Sequence, residues 1–75
     1  MTNAIRDIVI DFEAAALRAV AAGGDASDIE QARDDAVDNL RALKAGADGE
    51  MLEAIFAAAL EIGTKAGLAI EAVRK

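Results

Sequence analysis

Two glycine clusters, Gly23-Gly24 and Gly46 with Gly49, break a proline-free chain into three segments written almost wholly in helix-forming residues. No residue between those clusters forbids a helix. Proline, which removes a backbone donor and clashes with the preceding turn, is absent altogether. Twenty alanines, together with Leu, Glu and Arg, favour helix at nearly every position. The chain is therefore predicted to be all-α: three helices over about 3–22, 28–44 and 49–73 within a single helical domain, 1–75. The connections at 23–27 and 45–48 are short. Short loops favour antiparallel neighbours and hence an up-down-up unit.

Capping residues place the ends. Thr2 or Asn3 supplies a side-chain oxygen for the first helix, and Gly23-Gly24 closes it, since glycine accepts the left-handed conformation found there. Ser27 is the expected cap of the second helix, with Glu30 three residues on as its capping-box partner and Asp25 as a competing cap. Lys44 suits the negative end of that helix, and Gly46 stops it. Asp48 is the expected cap of the third.

Periodicity then sorts the faces. In the first helix Ile5, Val9, Phe12, Ala16, Ala19 and Val20 recur at helical spacing, while Ile8, Ile10 and Leu17 widen the apolar surface. The second is amphipathic, with Ile29, Ala32, Ala36, Val37, Leu40 and Leu43 on one side and charges on the other. The third carries two apolar rows. Leu52, Ile55, Ala59, Ile62, Ala66, Ala69 and Val73 make an unbroken 3-4 repeat, and Phe56, Leu60, Gly63, Gly67 and Ile70 make a second beside it. A helix of a lone three-helix unit needs only one such row. The excess predicts self-association, as a homodimer or larger species, through Leu52, Ile55, Phe56, Ala59, Leu60, Gly63, Gly67 and Ile70, with help from the first helix. Gly63-x-x-x-Gly67 strengthens that expectation. Glycine inside a helix costs about 1 kcal/mol relative to alanine, and close approach of two helix backbones is a reason to carry it.

Size leads the same way. Seventy-five residues make at most one small domain, and chains this short need a staple. With no cysteine and no histidine, disulfides, Cys/His zinc sites and thiolate-held clusters are excluded. Packing and association remain.

The charge pattern narrows the partners. Fourteen acids against eight bases give a net charge of −6, a field that opposes nucleic acid and anionic membrane surfaces. Six acids and one base lie between Asp25 and Asp38. Glu30, Asp34, Asp35 and Asp38 form a possible acidic partner face, able to dock on a basic site of another protein. The plainer reading of the same residues is a solvated helix face. Two phenylalanines and no Tyr or Trp argue against base stacking and against an aromatic hot spot, so any interface is aliphatic.

Catalytic, cofactor and metal residues are expected to be none. Thr2, Ser27 and Thr64 have no histidine to activate them. The segment from Asp25 has Glu30 and Ala36 where a calcium loop needs Gly and Glu. Gly23-Gly24 lacks the Lys-Ser/Thr of a phosphate loop. The longest apolar run, Ala54 to Leu60, is far short of the roughly 20 residues that span a bilayer, and no signal peptide is visible. A cytoplasmic protein follows as the expectation, and the Ala/Asp/Arg usage resembles that of a GC-rich bacterial or phage genome. The leading expectation is a non-catalytic, self-associating helical interaction module with a structural or adaptor role. The alternative is a small acidic inhibitor or regulator, of the phage-antagonist or antitoxin-like kind, that binds a basic site on a target protein.

Overall fold

The computed structural model describes residues 4–74, all of whose regular structure is helical: α1 (Ala4–Ala21), α2 (Ala26–Lys44) and α3 (Gly49–Arg74). Each helix packs against both of the others. The molecule measures 41 × 20 × 14 Å, its long dimension matching the length of α3 at about 1.5 Å per residue.

The glycine clusters act where the sequence places them. Gly23 takes φ +74°, and the last carbonyls of α1 are satisfied from beyond it. Gly24 N–H donates to Ala19 at 2.8 Å and Gly23 N–H to Val20 at 3.2 Å. This is the Schellman pattern, which needs a residue free to adopt positive φ. After α2 the stop is a different one: Ala45 leaves the helix extended, and Gly46, at φ +82°, is the third residue of a type II turn closed by Ala47 N–H on the Lys44 carbonyl at 3.2 Å. Asp48 caps α3 as expected, its carboxylate accepting from Met51 N–H at 2.8 Å. The candidate caps of α1, Thr2 and Asn3, lie outside the described residues.

The cap of α2 is Asp25, not Ser27. The Asp25 carboxylate accepts from Ser27 N–H at 3.1 Å, from Asp28 N–H at 3.3 Å and from the Ser27 hydroxyl at 2.7 Å. Asp28 completes the box by accepting from Asp25 N–H at 3.2 Å, so Glu30 has no part in it. The reason lies in the turn. A chain leaving Gly23 at positive φ is redirected within two residues, and Asp25 is the first position with extended backbone and an acceptor side chain. Ser27 is left inside the first turn. The helix therefore starts at Ala26, two residues before the expected boundary.

The core is built from Val9, Phe12 and Ala16 of α1, Ile29, Ala36 and Leu40 of α2, and Ile55, Ala58, Ile62 and Ala66 of α3. Ile29, Leu40 and Ile62 are its largest fully buried side chains. The first apolar row of α3 faces inward: Ile55, Ile62 and Ala66 are buried, and Leu52, Ala59, Ala69 and Val73 are half-buried. Ala58, in neither row, is buried as well. It turns toward α1, and alanine on every side of α3 gives the periodicity no means of ranking it.

Candidate interaction surface

Among the described residues, five large apolar side chains stand at least half exposed: Leu60 at 74%, Leu17 at 70%, Leu68 at 63%, Phe56 at 59% and Ile10 at 50%. All five belong to α1 or α3. The amphipathic helix α2 contributes none, as its single apolar face predicts.

The residues expected to form one interface divide between two environments. Ile55 lies in the core, and Leu52, Ala59 and Ile70 are half-buried, with Ala59 and Ile70 packed against that core. Phe56, Leu60, Gly63 and Gly67 face outward. A Cβ added at Gly63 or Gly67 would meet nothing within 4 Å. Close packing within the chain is thus not what these glycines serve. Phe56 is partly screened by Lys44 from the last turn of α2, whose Nζ stands 5.4 Å from the ring centroid. That arrangement places the cation over the negative face of the ring.

A second stretch of apolar surface runs between α1 and α3. One end of this groove is walled by Ile5, Val9 and Ile10 on α1 and by Ala54, Ala57, Leu60 and Leu68 on α3. Leu68 continues into the other end, where Ala16, Leu17 and Val20 face Ala69 and Ala72. Ile10 and Leu17 are seven residues apart, two turns along one side of α1. Leu68 was legible only as a large aliphatic residue outside both rows of α3. Of its neighbours at helical spacing, Thr64, Lys65 and Glu71 are polar and Ala72 is only an alanine, so no apolar period picks it out.

Lys65 sits at the middle of the groove. Its ammonium donates to Glu13 across the α1–α3 junction and lies 3.3 Å from Glu61 one turn back on its own helix. Hydrogen bonding to Glu13, with Glu61 adding to it, raises the Lys65 pKa above the ordinary lysine value, against a smaller opposing effect of burial. Both carboxylates that line the groove are therefore already engaged with one cation. Thr64, beside it, donates its hydroxyl to the Leu60 carbonyl at 3.0 Å and presents no free donor.

The acidic residues of α2 are on the surface. Glu30, Asp34, Asp35 and Asp38 are all exposed. Arg33 reaches Asp34 at 3.2 Å and Arg41 reaches Asp38 at 3.8 Å, which partly neutralises the strip. Asp35 turns away from the other three, toward a shallow groove against α1 that it shares with Asp11 and Asp28.

No helix among the described residues is long and apolar enough to cross a membrane. No family model matches the chain, and neither the curated proteins nor the solved structures contain a match to it.

Proposed function

We propose that this chain is a non-catalytic helical interaction module that associates with itself and serves a structural or adaptor role. One observation carries the reading. Among the described residues the large side chains of the core are Phe12, Ile29, Leu40, Ile55 and Ile62, yet Ile10, Leu17, Phe56, Leu60 and Leu68 stand at least half exposed. Isolated exposed apolar residues are ordinary on a monomer, but here they concentrate on α1 and α3. Each fully covered Leu or Ile contributes about 1.5–3 kcal/mol, comparable to a sizeable share of a small domain's net stability. Covering these residues with another surface is the largest gain open to a molecule with so thin a core.

The proposed unit is up-down-up. That reading is supported by the α1–α3 groove, where Ile5 and Ile10 accompany Ala54 and Leu60 at one end and Leu17 and Val20 accompany Leu68 and Ala72 at the other. Residue numbers rising together on two helices mean that the helices run the same way, with α2 returning between them.

The alternative, an acidic inhibitor docking on a basic site through Glu30, Asp34, Asp35 and Asp38, draws on the exposure of those residues. It is the weaker reading because Asp34 and Asp38 already have arginine partners on their own helix and Asp35 points elsewhere.

The test is the mass in solution, by light scattering after size exclusion over a dilution series. A dimer or larger species that dissociates on dilution supports self-association. A monomer at every concentration refutes it.

A further inference from the structure

Building on the self-association proposed above, we infer that a second copy of this chain binds in the groove between α1 and α3, so that the two copies cover the same face of one another.

Three observations select this face over the glycine-bearing side of α3. The first is area. Ile10, Leu17, Leu60 and Leu68, with Val20 at the rim, expose between a third and three quarters of their surface. Together they make an aliphatic patch on the order of a few hundred Å², in the range of the largest patch on a monomer and a substantial part of the about 800 Å² each partner contributes to a stable complex. The adjoining glycine-bearing side of α3 shares Leu60 with the groove and adds Phe56, partly covered by Lys44, and two glycines with no side chain to bury.

The second observation is charge. The carboxylates lining the groove are Glu13 and Glu61, and both contact Lys65. Arg6 lines the groove as well, so its charged side chains are two acids and two bases, a balanced face on a chain of net charge −6. Two copies repel less through such a face than through the acidic remainder, and a surface that matches it is apolar with balanced charge, as another copy of the same face is. The third is closure. Contact between identical patches satisfies both copies at once and leaves no apolar groove over to recruit further chains.

The experiment compares two variants with the wild type by light scattering over a dilution series, with helix content followed by far-ultraviolet circular dichroism. Leu17→Glu combined with Leu68→Glu places charge at the heart of the groove. Phe56→Glu places one carboxylate on the glycine-bearing side of α3, and all three proteins are compared at about 0.5 M salt, where the double variant's extra charge is screened. The expected result is a dissociation midpoint raised about a hundredfold or more in the double variant and changed only a few-fold in Phe56→Glu. A double variant that dimerises like the wild type overturns the groove assignment while leaving self-association standing. A wild type that is monomeric throughout overturns both.

Should the double variant lose its helix content, spin labels decide the matter. The chain has no cysteine, so Leu68→Cys or Asp34→Cys gives a single labelling site. Broadening between copies at position 68 but not at 34 supports the groove, and the reverse pattern overturns it.

Discussion

Asp25 shows how much one carboxylate can decide. Its side chain engages two backbone N–H groups and one hydroxyl, and by doing so sets where α2 begins. The hydrogen bond from Ser27, followed by that from Asp28 N–H, holds its pKa below the ordinary aspartate value. A group with a depressed native pKa contributes stability that is full above its unfolded pKa, about 4, and is lost as pH falls through the lower native value. Asp25→Ala should therefore be less stable than the wild type near neutrality, and the gap should close on acidification below about pH 4. Urea unfolding at a series of pH values measures this, and a gap that persists unchanged in acid would show that the carboxylate's charge is not what the cap uses. Gly24 supports the same cap by its bareness, since a Cβ there would come within 2.6 Å of the Asp28 carboxylate.

At the scale of the element, α3 is the helix whose sequence asks for more than its own chain provides. Its inward row closes the core and its outward side carries Phe56, Leu60, Leu68 and two open glycines. Because nothing lies within 4 Å of a Cβ built at Gly63 or Gly67, alanine fits at either without contact, and only helix propensity changes. Gly63→Ala and Gly67→Ala should each stabilise the protein by about 0.8–1 kcal/mol, read from the urea midpoint at fixed protein concentration. A loss of stability at either position would instead mean that a second helix packs against the glycines. This prediction separates the two faces of α3 with the smallest possible change in side chain.

The whole molecule combines a thin core with a strong like charge. Four of the ten buried core residues among those described are alanines, which bring helices together but bury little area. Each copy carries a net charge of −6, so two copies repel. Raising the salt from about 0.05 M to about 0.5 M shortens the screening length well below the size of the molecule and weakens that repulsion, while leaving apolar contact intact. Self-association should accordingly tighten with salt, as measured by the dissociation midpoint in light scattering. Weakening with salt would point to ion pairs across the contact, and so to a face other than the charge-compensated groove.

Most of the architecture was readable in the chain itself. Glycines at 23 and 46 fall where a positive φ is needed, so helix number and approximate length follow from local chemistry. The 3-4 repeat from Leu52 to Val73 marked an apolar row, and the fold turns that row inward, although Leu52, Ile55 and Ala59 were expected in the self-association interface. Local rules were weaker where two residues could do one job. Ser27 and Asp25 are both good caps, and only the path of the backbone out of Gly23 chose between them. They were weakest on α3, where alanine surrounds the helix and periodicity cannot say which of two apolar rows meets a neighbour. That choice depends on where α1 and α2 lie in space. Their placement sends Ile55 and Ala58 inward, leaves Gly63 and Gly67 open, and gathers Leu68 of α3 with Ile10 and Leu17 of α1 along one groove. Residues some fifty positions apart become neighbours only through packing, as Glu13 and Lys65 do.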